Sequence, residues 1–197
     1  MKYNNLPVSQ KGLSLIESAM VLAISAVVVS GVLYYYNQAQ ENRKLEEGIK
    51  QIQTIAASVN KLYTNSVTPP SGDNNTVEAI SAISGIPTMI GPDKKTKMFA
   101  TPSGQWVQFW TGSNNTYFLE AQVQSVSSCI SYATLNMGTI MAGKTKILIG
   151  STEYGSNNTS SNTTNFSLSP SIASNACEDA GKHKKDNNIK IRYTFRY

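Results

Sequence analysis

Apolar and polar positions change their arrangement along the chain, and each arrangement predicts a different element. From Leu13 to Tyr36 the sequence LSLIESAMVLAISAVVVSGVLYYY is apolar on every side of a helix, with one charge, Glu17. Such a helix of 24 residues spans roughly 36 Å, enough to cross a hydrocarbon core of about 30 Å. From Asn37 the pattern turns amphipathic. Leu45, Ile49, Ile52, Ile55, Ala56, Val59, Leu62 and Tyr63 recur at steps of three and four, which predicts one buried stripe on a helix. Both stretches read as one helix from about Leu13 to Leu62, roughly 75 Å long, whose first half is a spine and whose second half packs on a globular domain. Thr68-Pro69-Pro70-Ser71-Gly72-Asp73 ends it.

The remaining two-thirds alternate with a shorter period. Residues 76–85 read as a short helix, and 86–102 as a loop with three prolines and the lysines Lys94, Lys95 and Lys97. Gln105–Trp110 and Thr116–Val123, joined by Gly112-Ser113-Asn114-Asn115, predict a β-hairpin. Ser125–Met137 reads as helical and Lys144–Ile149 as a strand. Residues 151–169, with 14 Ser, Thr or Asn, read as an exposed loop. Ser169-Pro170 opens a short helix ending near Cys177. At the C-terminus Ile189, Ile191, Tyr193, Phe195 and Tyr197 alternate with Lys190, Arg192, Thr194 and Arg196, a strand with one buried face. Hairpins imply an antiparallel sheet, so the fold class is α+β: a long N-terminal helix packed on an antiparallel β-sheet.

The flanks of the apolar stretch add chemistry. Residues 1–12 carry Lys2 and Lys11 and no acid, which sets the N-terminus in the cytoplasm, while Tyr34, Tyr35 and Tyr36 suit the opposite interface. The stretch lacks the A-x-A-like site of a secretory signal peptide at its end. Glu17 does not fit a plain anchor, because a carboxylate inside a membrane costs a few kcal/mol and marks function. It lies four residues after Leu13, on the same helix face, where an amine freed by cleavage after Gly12 could neutralise it. Ala19, Ala23, Ala26 and Ser30 make a row of small residues that suits close helix packing, or is ordinary membrane-helix composition.

Composition narrows the function classes. The chain of 197 residues holds 24 Ser, 17 Thr and 18 Asn and carries a net charge of +5, a surface more typical of exported proteins than of cytosolic ones. One His and two Cys exclude a multi-His or multi-Cys metal site. His183 sits in a lysine-rich turn without a nucleophile in its motif. Ser58-Val59-Asn60-Lys61 matches S-x-x-K but lacks the partner motifs S-D-N and K-T-G. No phosphate-binding glycine loop appears. The pattern is that of a non-enzyme with no cofactor. A basic run, Lys182, Lys184, Lys185, Lys190, Arg192 and Arg196, reads as a solvated face, with binding of DNA or another anionic partner as the sharper alternative.

Gly12, then Leu13-Ser14-Leu15-Ile16-Glu17, then an apolar helix resembles the class III signal of type IV pilins. The apolar Leu13, where a Phe is usual in the type IVa subclass, resembles type IVb. The resemblance implies a leader peptide 1–12, cleavage by a prepilin peptidase between Gly12 and Leu13, N-methylation of Leu13, and an assembly role for Glu17. It divides the chain into an N-terminal helix 13–64, with a transmembrane and filament-core part 13–36 and an amphipathic part 37–64, and a globular head 65–197. Gly31 is the expected point of local helix melting in a filament. For Cys129 and Cys177, a disulfide is the first expectation in an exported domain, and two unpaired buried thiols the alternative. The resemblance implies that such a bond bounds a variable surface region, 129–177, and that the last strand, Ile189–Tyr197, enters the middle of the sheet.

The implied function is structural: a major pilin polymerising through its helix into a surface filament for adhesion, autoaggregation and microcolony formation. The implied partners are identical subunits, the prepilin peptidase, the inner-membrane assembly machinery, an outer-membrane secretin, and host cell surfaces or neighbouring pili. The implied location is the inner membrane for the precursor and an extracellular filament on a Gram-negative bacterium for the product. The alternatives are a pseudopilin of a type II-like secretion system, or a minor tip pilin acting as an adhesin or DNA-binding module.

Overall fold

The computed structural model describes residues 14–64, 66, 68, 70–155, 166–183 and 188–197. Helix α1 runs Leu15–Tyr63. The chain divides into two compact units, residues 1–42 and 43–197. In the first unit the described residues of α1 present an apolar surface almost entirely to solvent. Leu15, Val27, Tyr34 and Tyr35 are all more than 70% exposed, the signature of a segment built for lipid or for other helices.

In the second unit the helix stripe does what its spacing predicts. Ile52, Ile55, Ala56 and Val59 are fully buried, and Leu45, Ile49, Leu62 and Tyr63 pack at their margin. Gly48 is buried on this face, and the Tyr132 hydroxyl lies where a Cβ would be. Helix α2, Asn74–Ser84, is capped at its start by the Asp73 carboxylate, which accepts from the Thr76 N–H at 2.9 Å. It ends at Gly85, whose φ of 71° is the left-handed conformation glycine adopts at no steric cost.

Among the described residues seven strands form one antiparallel sheet: β1 Thr88–Ile90, β2 Lys97–Ala100, β3 Trp106–Thr111, β4 Thr116–Val123, β5 Met141–Ile149, β6 Thr152–Tyr154 and β7 Ile189–Arg196. Their order is β1-β2-β3-β4-β7-β5-β6. The last strand therefore lies between β4 and β5, with Leu119 opposite Tyr193 on one side and Ile147 opposite Ile191 on the other. Its alternation is compatible with that place. Ile189, Ile191, Tyr193 and Phe195 are buried on one face, and the residues between them lie on the other. Tyr117 anchors this core, with ring centroids 5.8 Å from Phe109 and 5.3 Å from Phe195. Its hydroxyl donates to the Ala56 carbonyl of α1.

Residues 86–102 are not a loop throughout. β1 and β2 pair within them, around a turn in which Thr96 donates its N–H and its hydroxyl to the Asp93 carboxylate. Strands of three and four residues are too short for alternation to declare itself, and the prolines and lysines of the turn dominate the local pattern. Likewise β6 occupies the start of 151–169, while residues 156–165 lie outside the described part. Helix α3 covers Val126–Ala133, shorter than expected, and a single 3-10 turn follows at Gly138–Ile140. Helix α4, Pro170–Lys182, starts at the expected Ser169-Pro170 but continues five residues past Cys177, because Ala173, Ala176, Cys177 and Ala180 form one continuous buried stripe.

Candidate assembly site and disulfide-bounded region

Gly12 and Leu13 lie outside the described residues. Glu17 lies in the first turn of α1. Its environment is a capping box formed by Ser14 and Glu17: the Ser14 N–H donates to Glu17 Oε2 at 2.8 Å, and the Glu17 N–H donates to Ser14 Oγ at 3.2 Å. Two backbone donors that a helix start leaves unpaired are thereby satisfied. The S-x-x-E spacing was readable in the sequence, and it gives Glu17 a partner within its own chain. Further along, Ser25 and Ser30 turn their hydroxyls back onto the carbonyls of Val21 and Ala26, both at 2.7 Å. Both hydroxyls are thereby satisfied within the helix. It is long and apolar enough to cross a membrane.

In the second unit, Cys129 on α3 and Cys177 on α4 are joined as a disulfide and fully buried. The bond closes a span of 48 residues that contains β5 and β6. Hydrogen bonds tie the span's described end to its beginning: Leu168 N–H donates to the Ala133 carbonyl at 3.2 Å, and Thr145 N–H to the Phe166 carbonyl at 2.9 Å. Below the bond, the Tyr193 hydroxyl donates to the Tyr132 carbonyl at 2.7 Å. Burial pushes the Tyr132 phenol up to about 12 and holds Tyr193 and Tyr117 well above the ordinary tyrosine range.

The basic run is not a row of free cations. On the sheet face opposite the helices, Glu120 is nearly enclosed, and Arg192 donates to its Oε2 from Nε at 2.9 Å and from Nη2 at 2.6 Å. Lys190 lies 3.2 Å from Glu120 Oε1. The same two cations cover indole rings, Lys190 over Trp106 at 5.2 Å and Arg192 over Trp110 at 5.1 Å. Arg196 reaches the Met141 carbonyl, and Lys184 and Lys185 lie outside the described residues. Sequence reading missed this arrangement because Glu120 is distant in sequence and only the strand register brings it opposite Arg192.

Of the other sequence candidates, Ser58 is buried while Lys61 is exposed, so their S-x-x-K spacing assembles no site. His183 Nδ1 lies 2.8 Å from the Asp179 carbonyl at the end of α4. Among the described residues no group of three His, Cys, Asp or Glu side chains is placed to hold a metal ion.

Comparison with known proteins bears on this geometry. Residues 37–196 match the bundlin family model. The chain is 32% identical over 182 residues to the major structural subunit of bundle-forming pilus from Escherichia coli O127:H6 (strain E2348/69 / EPEC), covering 89% of this chain and 92% of that one. It is 32% identical over 191 residues to the protein of the same description from Escherichia coli O111:H-, with the same coverage. Among solved structures, the crystal structure of a type IVb pilin from Salmonella typhi matches with a TM-score of 0.51 and 16% identity, over 76% of this chain and 98% of that one, and supports the fold. By the matched residues, the identity along most of its length and the sheet with its central final strand, this chain belongs to the bundlin family and has the type IVb pilin fold.

Proposed function

We propose that this chain is the major structural subunit of a type IVb pilus. The observation that carries it is the helix of the first unit, apolar and exposed through Tyr36, with one capped carboxylate near its start. A surface of that kind is stable in lipid or against copies of itself, and a polymer of parallel helices accommodates it without exposing it to water. The precursor, with leader 1–12, resides in the inner membrane. Prepilin peptidase cuts between Gly12 and Leu13, and Leu13 is methylated. The assembly machinery passes the subunit from lipid into the filament, which leaves through an outer-membrane secretin. Residues 13–36 form the filament core, 37–64 the helix that carries the head, and 65–197 the head. Glu17 pairs with the Leu13 amine of a neighbouring subunit during docking. The region 129–177 meets host cells or neighbouring pili, and supports adhesion, autoaggregation and microcolony formation. The role is mechanical, with neither catalysis nor a cofactor.

The test is the intact, non-reduced mass of protein sheared from the surface of the producing cell. The expected dominant species is residues 13–197 plus one methyl and minus two hydrogens. Cleaved protein confined to the inner membrane would instead indicate a pseudopilin or a minor tip pilin. Uncleaved protein throughout would remove Gly12 and Leu13 as the processing site.

A further inference from the structure

The final strand carries a pattern that does not specify its own register. Ile189, Ile191, Tyr193 and Phe195 alternate with Lys190, Arg192, Thr194 and Arg196. A displacement of one residue along β4 would turn the apolar set outward, but a displacement of two leaves every apolar side chain on the inner face. Yet β7 pairs with β4 without a shift from Thr116↔Arg196 to Val123↔Ile189. Its other neighbour is no guide, because the β5–β7 ladder shifts twice, between Met141 and Gly143 and between Gly143 and Lys146. On the inner face, side-chain size and the bond from the Tyr193 hydroxyl to the Tyr132 carbonyl favour the observed register. On the outer face the distinction is electrostatic. Glu120 of β4 is 3% exposed and stands opposite Arg192, with Lys190 diagonal to it.

We propose that Glu120 is the residue of the outer face that fixes the register of β7, and through β7 the place of the β5–β6 pair within the disulfide-bounded region. A carboxylate so enclosed is costly unless cations meet it at close range. In the observed register Arg192 meets one of its oxygens from Nε and Nη2, and Lys190 meets the other. The same cations cover Trp110 and Trp106. A displacement of two residues in one direction sets Thr194 opposite Glu120. In the other direction it sets Lys190 there and brings Asn188 into the row of Trp106, where Lys190 stood. Either way the Arg192 fork leaves its place. A buried ion cluster of this kind need not add net stability, since apolar residues of similar volume are often as stable in its place; what it adds is a penalty on other pairings. β5 and β6 lie between the two cysteines in sequence and reach the rest of the sheet through β7, so its register is passed on to them.

The experiment uses the full-length chain in the cell membrane, with paired cysteines as rulers. A disulfide closes between residues directly opposite on neighbouring strands, and not between diagonal neighbours about 7–8 Å apart. Phe118→Cys with Thr194→Cys reports the observed register. Phe118→Cys with Arg196→Cys, and Thr116→Cys with Thr194→Cys, report the two displacements. Each pair is placed with the native clamp, with Glu120→Gln, and with Glu120→Met, Lys190→Met and Arg192→Met together. The triple variant keeps the face filled and leaves no buried charge, so it should accumulate with its Cys129–Cys177 bond intact. Bonded peptides are identified by mass after non-reducing digestion. With the native clamp only the first pair should close. In both clamp variants the displaced pairs should close at least about tenfold more than with the native clamp, the scale expected for losing a desolvated charge pairing. Where Glu120→Gln fails to accumulate, the triple variant decides. Closure of the first pair alone in the triple variant would mean that the core side chains set the register unaided, and would overturn the proposal. Failure of the triple variant to accumulate would make the clamp a stability element instead, and would overturn it equally.

Discussion

Ser14 and Glu17 hold each other at the start of α1 by reciprocal hydrogen bonds of 2.8 and 3.2 Å. The carboxylate therefore has a partner before any neighbour arrives, which lowers the cost of carrying it in lipid. Under the proposed docking role, assembly is an exchange of partners. Glu17→Ala is expected to leave normal subunit in the membrane and little in sheared filaments. Ser14→Ala removes the acceptor for one backbone donor, a loss of about 1 kcal/mol of helix capping, and should reduce filament far less. Fractionation and immunoblotting of the two variants checks the order. Equal filament from Glu17→Ala and the wild type would remove the assembly role.

The Cys129–Cys177 bond closes a long span, so its contribution is large on the chain-entropy model, about 4 kcal/mol. Cys129→Ser with Cys177→Ser should lower the subunit's steady-state level and make the span between them protease-sensitive. Limited proteolysis of the detergent-solubilised chain, with and without reductant, measures this.

Gly48 is a steric requirement of Tyr132. An alanine there would gain up to about 1 kcal/mol in helix propensity, yet its Cβ would overlap the tyrosine hydroxyl, while the ring carbon Cζ stays 3.4 Å away. Gly48→Ala is expected to destabilise by about 1–3 kcal/mol as overpacking. Adding Tyr132→Phe, which removes the oxygen, should recover most of the loss. Thermal unfolding of the two variants decides.

Alkaline lability follows from the buried phenols. Tyr132 is raised by burial to about 12 in the folded chain, against an ordinary value of 10.0, so above that ordinary value the unfolded chain loses its proton first. The stability due to the neutral, buried phenol is complete below pH 10.0 and is lost as pH rises toward 12. Tyr193 and Tyr117 act in the same direction. The head should stay folded through about pH 9 and unfold cooperatively between the two values. Tyr132→Phe should move that transition upward, followed by tyrosinate absorbance and circular dichroism together.

Glu120→Gln tests the clamp on the outer sheet face. Lys190 and Arg192 are about one-third exposed, so solvent screens part of the attraction. The expected cost is about 1–2 kcal/mol, read as a lower unfolding midpoint. An unchanged midpoint would mean that ring stacking alone holds these two cations.

What could be read from the sequence follows the length and regularity of each signal. The helix stripe from Leu45 to Tyr63 and the alternation from Ile189 to Phe195 extend over many residues, and the structure has both elements. The β3–β4 hairpin was marked by its turn. β1, β2 and β6 were hidden because three or four residues cannot establish a period. The Ser14–Glu17 box was visible as a spacing but overshadowed by the membrane context of Glu17. The Glu120 clamp could not be read at all, since it depends on which strands become neighbours. That β7 is central came from the family resemblance; its alternation permits an interior strand without specifying one.

The place of β7 sets an order on the subunit's biogenesis. β7 follows every other described strand in the sequence and joins β4 to β5, so the β5–β6 pair has no link to the rest of the sheet until β7 is in place. A chain truncated even a few residues early would present two open edges, at β4 and at β5, to proteases and to other chains. Synthesis of β7 thus becomes a condition for a closed sheet.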